Sequence, residues 1–216
     1  MEPVLDSSRA ATGADDGPAP PRLPDRLPPG DPRDLVVLLD EHGRPNGSAP
    51  RESVHDHDTR LHLAFSCYLV DEAGRVLLTR RSLGKRSWPG VWTNSFCGHP
   101  RPGEDLTDAV RRHGRGELGL EPRDVTAVLP DFAYRAVDAS GIVENEVCPV
   151  FTARAGDELR PHPDEVAETR WVGLDELRET VRVAPWALSP WLVEQVAALD
   201  EADAWHLLHP DEEIAS

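Results

Sequence analysis

Two glutamates interrupt a stretch of chain that otherwise has the composition of a buried β-strand. In residues 141–151, GIVENEVCPVF, apolar side chains surround Glu144 and Glu146, and the two-residue period of a strand puts both carboxylates on one face with Cys148. Two carboxylates that share a buried face repel each other and lose hydration, which costs several kcal/mol unless a cation lies between them. The segment therefore predicts a strand that binds a cation, and the alternative is a strand with one acidic face in solvent.

Histidines in two other segments favour the cation-binding strand. Cys97 and His99 lie two positions apart in a loop punctuated by glycine and proline, so their side chains point to one side of an extended backbone. Taken alone, this pair is typical of a buried cysteine beside a surface histidine. His62, however, stands inside the apolar segment 61–70, where an unpaired imidazole is unfavourable. Together with the two glutamates, these imidazoles form a ligand set suited to a borderline divalent ion.

The charge balance disfavours some classes of partner. The chain has 39 acidic and 23 basic residues, a net charge of −16, and both nucleic acid and anionic membranes attract basic proteins instead. A small anionic substrate stays compatible with this charge, since a metal ion and a few local cations can offset it. Three cysteines without CxxC spacing do not indicate a disulfide framework, and no apolar segment has the length of a membrane span or the form of a signal peptide. We expect a cytoplasmic, monomeric protein whose partner is a small molecule.

Composition divides the chain into three parts. Residues 1–33 contain eight of the 21 prolines and no aromatic residue, which predicts a disordered N-terminal tail. Residues 34–208 are predicted to form a single domain, followed by an acidic C-terminal tail at 209–216. Apolar periodicity and turn residues within the domain indicate an α/β sandwich. Strands are predicted at 35–39, 61–70, 76–79, 125–130, 142–151 and 168–172, helices at 105–118, 175–181 and 189–203, and turns at 40–43 and 46–47.

Residues 98–120 keep the frame of a Nudix box, a loop-helix-loop that binds a metal ion against a diphosphate. Glycine, glutamate, arginine and glutamate recur in the order Gx5Ex7Rx4E, and the last of them is Glu117. Helix carboxylates in such a box hold Mg²⁺, and the metal neutralises phosphate oxygens. Two acidic positions of the box are occupied here by His113 and Gly116, so carboxylates that activate water for hydrolysis are missing. The segment predicts diphosphate binding without hydrolysis.

With these segments in view, the chain from residue 35 to about residue 205 resembles the type I isopentenyl-diphosphate Δ-isomerases. The resemblance rests on five stretches, which are residues 59–65 (TRLHLAF), 88–95 (WPGVWTNS), 97–100 (CGHP), 141–150 (GIVENEVCPV) and 185–191 (PWALSPW). It implies a Nudix-type α/β/α sandwich with a mixed sheet and a central loop-helix-loop. It also implies that isopentenyl diphosphate and dimethylallyl diphosphate are interconverted, in isoprenoid biosynthesis, by protonation and deprotonation through a carbocation.

The resemblance assigns metal ligands to the chain. One divalent ion, Mn²⁺, Zn²⁺ or Mg²⁺, would be bound by three histidines and two glutamates, which are His55, His62, His99, Glu144 and Glu146. A second ion, Mg²⁺, would be held by Glu117 and would bridge to the substrate diphosphate.

The resemblance also assigns catalytic and substrate-binding residues. Cys97 and Glu146 would transfer the protons, with Tyr134 hydrogen-bonded on the acid side. The indole of Trp191 would stabilise the carbocation by a cation–π interaction. Three cations would bind the diphosphate, which are Arg51, Arg81 and Lys85. Two other functions stay open at this point: a Nudix diphosphohydrolase, which the missing helix glutamates disfavour, and an inactive binding protein, which the full catalytic set disfavours.

Overall fold

Twelve strands and four α-helices make up the part of the chain that the computed structural model describes, residues 24–28, 30–156 and 158–208. The strands are β1 (Leu35–Leu39), β2 (Pro45–Pro50), β3 (His62–Leu63), β4 (Phe65–Val70), β5 (Val76–Arg81), β6 (Trp92–Thr93), β7 (Phe96–Gly98), β8 (Pro122–Leu129), β9 (Ala133–Val137), β10 (Val143–Val147), β11 (Val150–Ala155) and β12 (Val166–Val172). The α-helices are α1 (Arg51–Val54), α2 (Leu106–His113), α3 (Leu174–Val183) and α4 (Pro190–Glu201). Shorter helical turns are the π-helical turn Gly114–Leu118 and the 3₁₀ turns Pro185–Ala187 and Trp205–Leu208.

The strands form two sheets of mixed direction. The first has the order β2-β1-β3-β10-β9, and the second has the order β12-β5-β4-β11-β8, with β6 on β5 and β7 on β4. Each sheet contains one parallel pair, β3 with β10 and β4 with β11, and the other pairings between these strands are antiparallel. The mixed sheet predicted from the resemblance is therefore confirmed.

Helices cover both faces of the second sheet. Phe65 and Leu69 of β4 pack with Val110 of α2 in one apolar cluster. Tyr68, on the opposite face of the same strand, packs with Leu192 of α4 in another cluster. This alternation follows from the two-residue period of a strand, and a strand buried on both faces needs apolar residues at nearly every position. The arrangement is the predicted α/β/α sandwich.

The central helix follows the predicted boundaries. The Asp105 side chain caps α2 by accepting a hydrogen bond from the backbone N–H of Thr107 at 2.8 Å. After His113 the chain continues into the π-helical turn, which ends at Gly119 with a φ of 68°. A Cβ at Gly119 would lie 2.7 Å from the carbonyl oxygen of Arg160. Both the left-handed backbone and the close approach require glycine at this cap.

Two of the predicted strands are each divided between the sheets. The predicted strand 61–70 breaks at Ala64 into β3 and β4, and the predicted strand 142–151 breaks before Pro149 and continues as β11. Proline has no N–H to continue a ladder of hydrogen bonds, which favours a break at that position. The sequence prediction of one continuous strand is wrong in both places.

The two breaks lie side by side. The N–H of Ala64 donates to the carbonyl of Val147 at 2.9 Å, and the N–H of Ser66 donates to the carbonyl of Pro149 at 3.1 Å. Both chain segments therefore pass from the first sheet to the second as a pair, and we call this feature the paired crossing.

The outer strands of the first sheet, β2 and β9, are absent from the sequence prediction. The predicted turn at 46–47 is wrong, because these residues lie in β2 and Gly47 pairs with Leu38. The sequence of β2, PNGSAP, has no apolar alternation, and an edge strand tolerates such residues because one side of it carries no neighbour.

Part of the predicted N-terminal tail packs on the domain. Residues 24–28 lie against it, and Leu27 is only 7% exposed. The carboxylate of Asp25 accepts hydrogen bonds from Nε and Nη2 of Arg115 at 2.9 and 2.8 Å. The segment 24–28 is therefore ordered, contrary to the predicted disorder. Its ion pair with the domain adds to the stabilisation that the small buried apolar surface provides.

The remainder of the two predicted tails, residues 1–23 and 209–216, lies outside the described residues. Among the helices that the structure describes, none has the length and apolar character needed to cross a bilayer.

Candidate active site

Strand pairing places a histidine next to a glutamate in the buried part of the first sheet. His62 of β3 and Glu146 of β10 are partners in the parallel ladder, and they are 0% and 4% exposed. An imidazole and a carboxylate that both leave water must interact with each other or with a third group. The alternative of a solvent-exposed acidic face on this strand is therefore wrong.

Three imidazoles and one carboxylate converge. Nε2 of His62 and Nε2 of His99 are 3.2 Å apart and lie 3.3 and 3.1 Å from Oε1 of Glu146. Nδ1 of His62 donates to the carbonyl of Arg60 at 2.9 Å, so Nε2 is the ring nitrogen that faces the cluster. With His55 included, the ligand atoms of these side chains all lie within 4.8 Å of one another. We call His55, His62, His99 and Glu146 the ligand cluster.

Glu144, the fifth predicted ligand, contacts the ligand cluster. Its Oε2 lies 2.8 Å from Nε2 of His55, and its Oε1 accepts a hydrogen bond from the hydroxyl of Ser87 at 2.5 Å. Nε2 of His55 is buried and has no hydrogen bond of good geometry within the described residues. A buried ring nitrogen that lacks a well-formed hydrogen bond and lies beside two carboxylates is suited to bind a metal ion. The donor set therefore fits the divalent ion that the sequence predicts.

Burial and neighbouring charges shift the pKa values of the ligand cluster in opposite directions. Burial lowers the pKa of His55, but the carboxylates of Glu144 and Glu146 outweigh it and raise the value to about 9. Burial lowers the pKa of His99 to about 3, against the opposing effect of Glu146. Burial raises the pKa of Glu146, but the three imidazoles outweigh it and hold the value well below the usual range. In the metal-free protein at neutral pH, His55 is therefore protonated and Glu146 is ionised.

A thiol faces the same cavity. Sγ of Cys97, on β7, lies 3.2 Å from Oγ of Ser66 and 3.3 Å from Oδ1 of Asn94. Burial raises the pKa of this thiol to about 11, although the hydrogen bonds with Ser66 and Asn94 act in the opposite direction. The thiol therefore carries a proton at neutral pH. Cys148 lies 3.5 Å from the same Ser66 hydroxyl, but it is 1% exposed and is not among the described residues that line the cavity.

Aromatic rings form one wall of this cavity, whose volume is about 450 Å³. The indole N–H of Trp191 donates to Oδ1 of Asn94 at 3.1 Å, the same oxygen that contacts the thiol. The ring of Trp88 packs edge-to-face on Trp191 at 5.4 Å, and the ring of Tyr134 lies 5.6 Å away. Tyr134 is also the partner of Glu146 in the ladder between β9 and β10. A π-rich wall beside a proton donor and a carboxylate can stabilise a short-lived cation.

The three cations predicted to bind a diphosphate also line the cavity. The guanidinium of Arg81 lies 5.4 Å from the centre of the Trp191 ring. Lys85 forms an ion pair with Glu165, and Arg51 forms one with a neighbouring aspartate at 2.7 Å. Lys85 and Arg81 are close enough to a further carboxylate of the cavity, on the π-helical turn, to lower its pKa.

That carboxylate belongs to Glu117. Its Oε1 accepts a hydrogen bond from Nδ1 of His113 at 2.7 Å. Burial raises the pKa of Glu117, but His113 and Lys85 outweigh burial and lower it, so the side chain is ionised at neutral pH. A Cβ at Gly98 would lie 2.4 Å from the ring of His113, so this ring fits only because residue 98 is glycine.

A double hydrogen bond explains the spacing within residues 98–120. Nε and Nη2 of Arg112 donate to the two carboxylate oxygens of Glu104 at 2.7 and 2.6 Å. The same Nη2 donates to the carbonyl of His99 at 2.9 Å. Arg112 thus fixes the loop that carries His99 against the helix that carries Glu117.

Relatives of known name agree with this geometry. The NUDIX domain family matches residues 60–192. The isopentenyl-diphosphate Delta-isomerase of Agromyces mediolanus is 63% identical over 166 residues, which are 77% of this chain and 81% of that protein. The protein of the same name from Mycolicibacterium vanbaalenii is 57% identical over 180 residues, which are 83% of this chain and 99% of that protein. The chain belongs to the isopentenyl-diphosphate Delta-isomerase family.

Solved structures share the fold of this isomerase family member. A protein from Deinococcus radiodurans superposes with a TM-score of 0.59 at 20% identity, covering 76% of this chain and 98% of that one. A MutT NUDIX hydrolase from Burkholderia pseudomallei superposes with a TM-score of 0.50 at 25% identity, covering 64% of this chain and 97% of that one. The Nudix-type fold that the resemblance implies is confirmed, and a shared fold by itself does not imply a shared reaction.

The site residues assigned from the resemblance come together in one place. All of them except His62 line the cavity, and His62 contacts His99 within the ligand cluster. Sequence reasoning missed Ser66, Asn94 and Glu165. For Ser66 a signal existed, since it is a polar residue in an apolar stretch, as His62 is, whereas Asn94 stands between two other polar residues, Thr93 and Ser95.

Proposed function

We propose that this protein interconverts isopentenyl diphosphate and dimethylallyl diphosphate in isoprenoid biosynthesis. The observation that carries the proposal is the pair formed by Cys97 and Glu146, a protonated thiol and an ionised carboxylate that line one cavity. Moving a double bond along a chain requires a proton added at one carbon and another removed from a different carbon. The pair contains one proton donor and one acceptor, as this reaction requires. The names of the relatives support the same reaction.

The aromatic wall supports a mechanism through a carbocation. One member of the pair protonates the terminal alkene carbon, which leaves a tertiary cation on its neighbour. The indole of Trp191 stabilises that cation by roughly 2 kcal/mol in a dry site. The other member removes a proton from the carbon beyond the cation, which forms the double bond of the product. Tyr134, the ladder partner of Glu146, is proposed to hydrogen-bond the member of the pair that donates the proton and to hold that group in position.

The proposal includes two metal sites. We assign one Mn²⁺, Zn²⁺ or Mg²⁺ to the ligand cluster with Glu144, and one Mg²⁺ to Glu117 with the substrate diphosphate. Bound ions would supply positive charge that offsets the buried carboxylates and the phosphate oxygens. The chain's own cations add to this charge on the diphosphate side, and they are Arg51, Arg81 and Lys85. The cytoplasmic location and the monomeric state stay predictions.

The end of α2 and the π-helical turn that follows it carry residues that disfavour hydrolysis of the diphosphate. Hydrolysis requires carboxylates on this helix that hold metal ions and activate water. Position 113 carries an imidazole that is engaged with Glu117, and position 116 carries no side chain. Of the acidic positions 113, 116 and 117, only Glu117 remains, and we assign it to the metal–diphosphate complex.

Solvent deuterium distinguishes the reactions. The protein is incubated with isopentenyl diphosphate and Mg²⁺ in D₂O, and the product is analysed by mass spectrometry and NMR. We expect deuterium at carbon-bound positions of the allylic product and inorganic phosphate at background. Phosphate release without deuterium incorporation would indicate a hydrolase instead. The absence of both signals would indicate an inactive binding protein. The Cys97→Ala variant serves as the control for non-enzymatic exchange.

A further inference from the structure

Arg26 lies at the edge of the cavity, on the segment 24–28. Its Nη2 is 3.3 Å from Oε1 of Glu165 and 3.9 Å from Oδ2 of Asp164. Its Nη1 is buried and has no hydrogen-bond partner among the described residues. Buried guanidinium N–H groups in folded proteins nearly always have an acceptor. This nitrogen therefore lacks an acceptor that the described residues could supply, and it belongs to a side chain that lines the cavity.

The stem of Arg26 lies in space left by a missing side chain. A Cβ at Gly116 would lie 3.0 Å from Cγ and 3.6 Å from Cδ of Arg26. Gly116 stands at one of the two positions where a Nudix box carries an acidic residue, and a glutamate there would collide with the arginine stem. The segment 24–28 thus brings a cation to the place where a Nudix hydrolase has a metal-binding carboxylate.

The neighbours of Arg26 in sequence are fixed. Asp25 is held by a bidentate contact with a domain arginine, and the carbonyl of Pro24 accepts a hydrogen bond from Nη2 of Arg101 at 2.8 Å. Leu27 is buried against the domain. Because the segment is already held on both sides of Arg26, binding of a ligand there orders little additional chain.

Glu165 connects Arg26 to a residue assigned to the diphosphate. The same carboxylate pairs with Lys85, so Glu165 is shared between two cations. A guanidinium N–H without an acceptor, close to a second cation, matches an oxygen of a phosphate group, which accepts charge-assisted hydrogen bonds.

We propose that Arg26 binds the substrate diphosphate together with Lys85. The assignment rests on the proposed function and extends it, because it adds a substrate-binding residue from outside the Nudix domain match. The glycine at position 116 would then have two effects. It removes a carboxylate that hydrolysis requires, and it leaves space for the arginine that contacts the diphosphate.

The test uses the full chain, loaded with metal, and inorganic pyrophosphate with Mg²⁺ as the probe. Arg26→Gln keeps most of the stem and removes the charge. The matched control is Arg33→Gln, since Arg33 pairs with Asp31 at 2.6 Å and is not among the described residues that line the cavity. Pyrophosphate affinity, measured by calorimetry, should fall about tenfold in Arg26→Gln and stay unchanged in the control.

Steady-state kinetics separates substrate binding from a purely structural role. In Arg26→Gln, KM for isopentenyl diphosphate should rise by about the same tenfold factor, while kcat changes less than about twofold, and Arg26→Lys should recover part of the loss. Equal pyrophosphate affinity and equal KM in Arg26→Gln and Arg33→Gln would overturn the assignment. If the wild-type protein lacked isomerase activity but Arg26→Gln still weakened pyrophosphate, only the proposed function would fail.

Discussion

Two cysteines in this protein contact one serine hydroxyl and yet differ in what they can reach. Ser66 lies within hydrogen-bond distance of both Cys97 and Cys148, but only Cys97 is among the described residues that line the cavity. A thiol that cannot reach the substrate cannot transfer a proton to it. At the scale of single residues, position relative to the cavity therefore decides the role.

Cys97→Ala and Glu146→Gln are each expected to remove nearly all turnover, because each variant lacks one of the two proton-transfer groups. Cys148→Ala is the matched control: it should keep most of the activity and lose roughly 1 kcal/mol of unfolding free energy from the core. Isomerase assays and chemical denaturation measure the two effects. If Cys148→Ala were as inactive as Cys97→Ala, the assignment of the catalytic thiol would be wrong.

Metal binding is expected to release a proton from His55. The pKa of this residue is about 9 in the metal-free protein, since the carboxylates of Glu144 and Glu146 outweigh burial. The ring is therefore protonated at about pH 7.5, whereas a ligand must be neutral. Affinity for Zn²⁺ should rise as the pH rises towards that pKa, with release of about one proton per ion at about pH 7.5. Calorimetry in buffers of different protonation enthalpy measures this number.

His57→Gln is the control for that experiment, since His57 is exposed and donates to the carbonyl of Gly141 at 2.9 Å, outside the ligand cluster. It should release as many protons as the wild-type protein. His99→Ala, by contrast, should lose most of its bound metal. Full metal content in that variant, or no proton release from the wild-type protein, would contradict the assignment of the ligand cluster.

At the scale of elements, local sequence patterns predicted the positions of strands and helices along the chain. They predicted less well to which sheet each strand belongs. The helix predicted at 105–118 is α2 with its π-helical turn. The predicted strand 142–151, however, serves two sheets. That division depends on contacts such as the one between Ala64 and Val147, more than eighty positions apart, which no local pattern records.

Some residues of the candidate site could be predicted from local sequence patterns, and others could not. Cys97, His99 and Glu146 were predictable because reactive or metal-binding groups stand out in apolar or glycine-punctuated segments. Glu165 and Arg26 lie in polar stretches where another charged residue carries no signal. Their proximity to the cavity is set by tertiary contacts, so only the folded chain reveals it.

The close packing of α2 on β7 makes Gly98 a sensitive position. Gly98→Ala is expected to destabilise the protein by roughly 1–3 kcal/mol, because overpacking forces neighbouring groups apart. The added Cβ would lie 2.4 Å from the ring of His113, and displacement of that ring would disturb Glu117 and weaken Mg²⁺–pyrophosphate binding. Gly173→Ala is the control, since nothing lies within 4 Å of a Cβ there. Equal unfolding free energies for the two variants would rule out this packing constraint.

At the scale of the whole molecule, the segment 24–28 is expected to matter more than its composition suggests. A chain that begins at residue 24 should keep the melting temperature and KM of the full chain. A chain that begins at residue 34 loses the contacts of Asp25 and Leu27, so its melting temperature should fall by several degrees and its KM should rise about tenfold. Thermal melts and kinetics on the two truncated chains measure this, and identical behaviour would show that the segment does not contribute.

The paired crossing also bears on the order in which the chain can fold. Hairpins within either sheet join segments that are near in sequence, whereas the parallel pairs at the crossing join segments more than eighty positions apart. Closing so long a loop has a large entropic cost, and topologies that depend on it fold slowly. His62 and Glu146 flank this closure, so the ligand cluster does not exist until the slow step is complete. A divalent ion that requires the whole cluster binds the native state after that step, and it stabilises the folded protein by slowing unfolding without speeding folding.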